Sequence, residues 1–399
     1  MREQSGDLTH AGRLRHRQLS EYIAASALTH CPDGWAYLGR AMHAQIVGDN
    51  DCARHLSYYA ELRGAMALLA SQAVGVFDRQ HIVISNRGRC LRIPNGHGTH
   101  KFVWDALEEW AKEPSSSATI LDLVTAGGSR LHDWLDHFAS VPALAGQLTK
   151  DWLNSWGLDI ARLANDRDAR NLSSYRPTSL STGSQPDAAT VLRFISGLWR
   201  TCEPTAESPF TVLDRFLVKA SLQNGFTAAH NRSPRHASRQ FRLRIQAVVR
   251  GLQPKPVPGM DWETFLIGTG NDPLHVLTQA RGKVGPEHSE HSLQVASRAL
   301  LMLRLASGVG QRLLGALPAS NSAHLWFWVG LIGRDRSLWQ AGSAPAALTD
   351  LWMDTEAALD EIRANLKEVD SFCTLWRKFA SAAGTLSSWE RVGLWGLGL

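Results

Sequence analysis

The chain has 399 residues, 44% of them hydrophobic, so it can bury a substantial core; wholesale disorder is excluded, and length alone suggests two or three domains. No window reaches the roughly 18 consecutive apolar residues that cross a bilayer, and Met1 to Arg17 is polar and basic without a signal-type apolar stretch, so a cytoplasmic protein with no membrane partner is expected. The balance of 42 basic against 37 acidic residues gives +5, modest for this length, so where the charge sits matters more than its total.

Gly34 to Val47 and Asp51 to Ala73 carry apolar residues at spacings of three and four, among them Leu56, Tyr59, Leu62, Met66 and Leu69. With a turn and N-cap at Asp49 to Asp51 they predict an antiparallel helical hairpin. His81 to Ser85 and Arg89 to Ile93 are β-rich runs joined by Asn86-Arg87-Gly88, which predicts a small β-hairpin. Thr99 is expected to cap a helix from His100 to Lys112, and Pro114 to Ser117 reads as a turn or short linker. Helical patterns follow at Thr119 to Thr125, Arg130 to Ser140 and Leu144 to Arg167.

Residues 177–186 are rich in Ser, Thr and Gly without apolar periodicity, and a boundary is placed there. The expected organisation is therefore an N-terminal helical domain, 1–176, a linker, 177–186, and a C-terminal helical domain, 187–399. The latter reads as helices at Ala188 to Thr201, Pro209 to Leu222, Pro234 to Leu252, Ser289 to Leu317, Ala346 to Leu366 and Asp370 to Ala382. The fold class is predominantly α: helical bundle domains with one small β-hairpin insertion near residues 81–93. Trp134, Trp199, Trp326, Trp352 and Trp376 lie in helical patterns where a core or helix-interface role is expected. Five scattered cysteines suit reduced thiols, and with no CxxC pair neither a structural zinc nor another metal or cofactor is expected.

Between Asp214 and Asp261 there is no acidic residue, while the interval carries Arg215, Lys219, Arg232, Arg235, Arg239, Arg242, Arg244, Arg250 and Lys255. On a helix beginning near Pro234, Arg235, Arg239 and Arg242 share one face that could follow a phosphate backbone. Arg232, Arg235, Arg239, Arg242 and Arg244 are the candidate nucleic-acid-binding residues, with RNA or DNA as partner. The competing expectation pairs this helix with the acidic segment holding Asp350, Asp354, Glu356, Asp360, Glu361, Glu368 and Asp370.

The motif that suggests chemistry is Arg170-Asn171-Leu172-Ser173-Ser174-Tyr175-Arg176-Pro177. It resembles the signature of HEPN-type ribonucleases, an arginine, a small polar residue and, five positions on, a histidine. The segments Gly34 to Arg40 and Tyr58 to Arg63 add a resemblance to YaaC-like and HEPN-like bacterial proteins of phage-defence settings. That resemblance implies a metal-independent endoribonuclease, commonly a homodimer, with Arg170, Asn171 and Tyr175 as catalytic residues. In the family the arginine stabilises charge at the scissile phosphate, the polar residue orients it, and the histidine moves protons during attack by the 2′-hydroxyl. Tyr175 stands where the histidine would be, and a tyrosine with its ordinary pKa of about 10 is a poor general base at neutral pH. Two alternatives stand beside the nuclease: a helix-end arginine paired with Asp166 or Asp168, and a non-catalytic helical adaptor joining partner subunits of a nucleic-acid-associated complex. No phosphate loop of the GxxxxGK type, no GxGxxG after a strand and no GxSxG elbow is present, which disfavours an ATPase, a Rossmann dehydrogenase and an α/β-hydrolase.

Overall fold

The computed structural model describes residues 16–93, 97–138, 149–175, 186–205, 208–230, 238–268, 274–316, 330–331, 333–339 and 344–398. The fold is predominantly helical, with two small antiparallel sheets. Helices α1 (His16–Ile46) and α2 (Asn50–Ser71) form the expected hairpin, and Asp49 caps α2 by accepting from the Cys52 amide at 2.9 Å. The first helix begins well before the expected start at Gly34 and runs through Pro32.

The predicted hairpin is present as β2 (Ile82–Ile84) and β3 (Cys90–Arg92), with Val83 opposite Leu91 and Gly88 at φ 71° in the turn. A two-residue strand, β1 (Val74–Gly75), adds to its edge. Helix α3 (Thr99–Lys112) includes Thr99, and Gly98 occupies the cap position, so the expected threonine cap does not form. Pro114 opens a helix rather than a linker: α4 (Pro114–Leu123) has it in the first turn, where a missing N–H costs nothing. A second miniature sheet, β4 (Thr125–Ala126) with β5 (Ser129–Arg130), leads into α5 (Leu131–Phe138). The helical stretch expected from Leu144 to Arg167 is two helices, α6 (Thr149–Trp156) and α7 (Ile160–Tyr175). Gly157 separates them at φ 101°, where a Cβ would also sit 3.0 Å from the backbone of Ala280.

After residues 176–185, which lie outside the described residues together with most of the expected linker, come α8 (Ala188–Thr201), α9 (Thr211–His230), α10 (Ser238–Leu252), α11 (Trp262–Ile267) and α12 (His275–Ala280). Helix α13 (His291–Gly315) is buried along residues 291–310 and packs against α2 and α1. Glycines permit that approach: a Cβ on Gly64 would lie 2.8 Å from Met302 Cγ. The chain closes with α14 (Leu351–Asn365), α15 (Phe372–Lys378), α16 (Ala380–Leu386) and α17 (Glu390–Trp395).

One core serves the chain on both sides of residues 177–186. Trp35 of α1 stacks on Trp389 at 6.0 Å, and Trp389 stacks on Trp199 of α8 at 4.2 Å. Trp134, Trp199 and Trp352 are buried as expected, whereas Trp376 is 45% exposed and meets His43 edge-on. Trp326 lies outside the described residues. No helix among the described residues is long and apolar enough to cross a membrane.

Candidate functional site

Helix α7 is held from beneath by a buried charge cluster. Asp166, one turn before Arg170, accepts two bonds from Arg298 of α13, at 2.9 Å from Nε and 2.8 Å from Nη2. Glu61 of α2 lies 3.6 Å from the same guanidinium, and His291 Nε2 lies 3.6 Å from Asp166. All four side chains are buried. Burial pushes the Glu61 carboxyl well above its usual range, and the charge of Asp166 adds to that shift. Burial raises the Asp166 carboxyl too, but the charge and fork of Arg298 oppose that shift, so Glu61 is the member of the pair that holds a proton first.

Arg170 is not the partner of the acids flanking it in sequence: Asp166 is engaged by Arg298, and Asp168 pairs with Arg167 at 2.9 Å. Its guanidinium instead lies 5.4 Å from the ring centre of Tyr58 and 5.6 Å from that of Tyr59, both on α2. The positions His55, Tyr58, Tyr59 and Leu62 recur at spacings of three and four, which places them along one side of that helix. Tyr59 is the hub. Its ring contacts His55 at 5.0 Å, His100 of α3 at 5.6 Å and Tyr37 of α1 at 5.3 Å between centres.

The two imidazoles are partly open to solvent and uncharged. Burial, then Arg170 and further cationic neighbours, brings His100 down to about 4, and burial followed by Arg170 lowers His55. The Tyr58 hydroxyl lies 3.1 Å from His100 Nδ1 and receives the Trp104 indole N–H at 3.4 Å. Burial raises the Tyr58 phenol, which therefore keeps its proton. Arg63, paired with Asp33 at 2.8 Å, adds positive charge near this cluster.

Of the three residues expected to act in catalysis, Arg170 is thus in a polar, partly open cluster, and Asn171 beside it is half-buried. Tyr175 closes α7, and its side chain lies outside the described residues. Five residues turn position 175 about 140° around the helix axis from position 170. Sequence reasoning did not bring His55 or His100 to Arg170, because it sought the imidazole five positions from the arginine in sequence. The signal available was the run His55-Leu56-Ser57-Tyr58-Tyr59, polar aromatic residues concentrated on one face. Among the described residues no group of three or more His, Cys, Asp or Glu could hold a metal ion.

The basic helix is a separate feature. Helix α10 packs on α5 and α11, whereas α7 packs on α2 and α3. Phe241, Ile245 and Val248 are buried, and Arg239, Arg242 and Arg250 are exposed along the opposite side. Arg244 is also exposed, yet its Nη1 is tied to the Phe138 carbonyl at 3.0 Å, making it a strut to α5 as much as a free cation. Arg232 and Arg235 lie outside the described residues. Among the described residues no carboxylate pairs with Arg239, Arg242 or Arg250. The acidic C-terminal segment is committed elsewhere: Asp354 to Arg391 at 2.8 Å, Asp360 to Arg363 at 3.1 Å and Glu368 to Lys378 at 3.2 Å. Glu356 lies 3.7 Å from Arg200.

Comparison with known proteins adds no relative to this geometry: no family model, no curated protein and no solved structure matches the chain.

Proposed function

We propose that this protein binds RNA and cleaves it without a metal at a HEPN-like centre built around Arg170. The observation that carries the reading is the gathering of Arg170, His55 and His100 around the ring of Tyr59. A guanidinium beside two neutral imidazoles can stabilise a pentavalent phosphorane and accept the proton of a ribose 2′-hydroxyl. The expected result is cleavage of a mixed single-stranded RNA in EDTA, with Arg170→Ala slowing it by about 10²–10³-fold at unchanged far-UV circular dichroism. Cleavage that requires added metal, or that survives Arg170→Ala, would refute the reading.

The acid-free side of α10 supports backbone binding and also favours a second reading, a non-catalytic adaptor that grips nucleic acid through Arg239, Arg242 and Arg250. Each phosphate contact on a single strand contributes about 0.7 to the slope of log K against log salt. Arg239→Ala with Arg242→Ala should therefore reduce that slope by roughly 1.4. An unchanged slope would remove α10 from the interface. RNA binding with no detectable cleavage by the wild type would leave the adaptor as the function.

A further inference from the structure

We infer that the cleft between α8 and α14 binds a small amphiphilic monocarboxylate, an apolar body that carries one negative charge. The site shares no residue with the cluster around Arg170 and stands whether or not that cluster cleaves RNA.

The cleft has a volume of about 250 Å³, near the lower end of the roughly 300–1,000 Å³ of small-molecule pockets. Its floor is apolar: Leu192 of α8 and Leu359 and Ile362 of α14 are buried along it, and Leu366 lines the end where α14 stops. Gly197 opens the α8 wall. A Cβ added there would meet no atom within 4 Å beyond the nearby turns of its own helix, so the space a side chain would fill belongs to the cleft.

The rim is basic. Arg193 and Arg200 line it from α8, about two turns apart, and Arg363 lines it from α14. Among the described residues the Arg193 guanidinium hydrogen-bonds to the Thr190 hydroxyl alone, at 3.2 Å. Arg200 has Asp360, Glu356 and Glu203 at 3.5, 3.7 and 3.8 Å. Those separations make ion pairs without good hydrogen bonds, so the guanidinium keeps donors for a closer acceptor. Arg363 shares Asp360, at 3.1 Å.

The same acids select the charge of the ligand. A phosphate dianion at this rim would meet Asp360 and Glu356 as like charges. A carboxylate brings a single charge and two oxygens that match a guanidinium fork. An apolar floor beneath cationic forks therefore fits a carboxylate with a short hydrocarbon body.

Calorimetric titration of the full-length protein with decanoate, below its micelle concentration, tests the assignment. Decanoate should bind saturably, and decanol, which lacks the charge-assisted bonds, should bind about 10–100-fold more weakly. Acetate, which lacks the hydrocarbon body, should not bind detectably. Decyl phosphate at pH 8, where it is a dianion, should bind more weakly than decanoate. Gly197→Leu places a branched side chain in the cleft and should abolish binding without lowering the thermal unfolding midpoint. Arg193→Gln with Arg363→Gln, both exposed side chains, should weaken binding by about 10–100-fold, and this double variant carries the test if Gly197→Leu does not fold. No saturable heat with decanoate up to about 1 mM, a Kd that corresponds to only about −4 kcal/mol, would overturn the inference. So would decanoate binding that survives Gly197→Leu or the double arginine variant, since the ligand would then lie elsewhere. Decanol or decyl phosphate binding as tightly as decanoate would overturn the choice of a monocarboxylate.

Discussion

Replacing Asp214 with alanine is expected to destabilise the fold by about 3–5 kcal/mol, because it strands a buried guanidinium. Arg304, only 2% exposed in the middle of α13, donates to Asp214 from Nε at 2.8 Å and from Nη2 at 2.7 Å. The same Nη2 reaches the Leu123 carbonyl at 2.7 Å, and Asp214 also accepts from the Thr125 amide at 2.9 Å. The pair thus joins α9, α13 and the entry to the β4–β5 sheet, with the guanidinium lying 4.8 Å from the ring centre of Phe210. Removing the carboxylate leaves the buried guanidinium with the Leu123 carbonyl alone and the Thr125 amide without its acceptor. Denaturant unfolding should show a lower midpoint at unchanged slope. Joint replacement, Asp214→Leu with Arg304→Met, should recover most of the loss, since apolar packing often matches a buried ion pair. A single-variant loss below about 1 kcal/mol would place the pair among those that contribute little.

How much of this was legible depends on the range of the signal. Elements carried by local pattern were readable: the α1–α2 hairpin with Asp49 as cap, the β2–β3 hairpin with Gly88, and α8 behind its Asp187 cap. Short helices such as α11, α12 and α17, at six residues each, carry too few turns for a periodic pattern. The early start of α1 and the helix at Pro114 were missed for different reasons. Tertiary packing carries α1 through Pro32 and back to His16, while Pro114 starts a helix that a Ser-rich string disguises. The motif drew the eye to Arg170, and the absence of acids around α10 is plain from composition alone. The pairings Asp166 with Arg298 and Asp214 with Arg304 join residues 132 and 90 positions apart. No local spacing encodes them, nor the placement of His55 and His100 against the one ring of Tyr59, because each follows from which helix faces touch in three dimensions.

The buried cluster under Arg170 yields the second large effect, and a contrast within it. Arg298→Ala should destabilise by about 3–5 kcal/mol, as for any buried pair broken on one side, since Asp166 is only 3% exposed and would lose both bonds of its fork. Glu61→Gln should behave oppositely. Glu61 is held neutral in the folded state by burial and by the charge of Asp166, and an amide keeps its shape without an ionisable proton. The sign follows from linkage. A carboxyl whose folded pKa is raised contributes stability fully present below the ordinary glutamate value, about 4.3, and lost as pH rises toward the folded value. The wild type should therefore lose stability relative to Glu61→Gln as pH climbs through the weakly acidic and neutral range. Unfolding free energies at pH 5 and pH 8 would measure it, with the variant gaining ground at the higher pH. A wild type that gains on Glu61→Gln over that interval would mean that Glu61 is ionised, and that Arg298 is shared between two carboxylates. Because Asp166 and Arg170 stand one turn apart on α7, an ionised Glu61 would also add negative charge beneath the guanidinium. A protonated Glu61 adds no such charge.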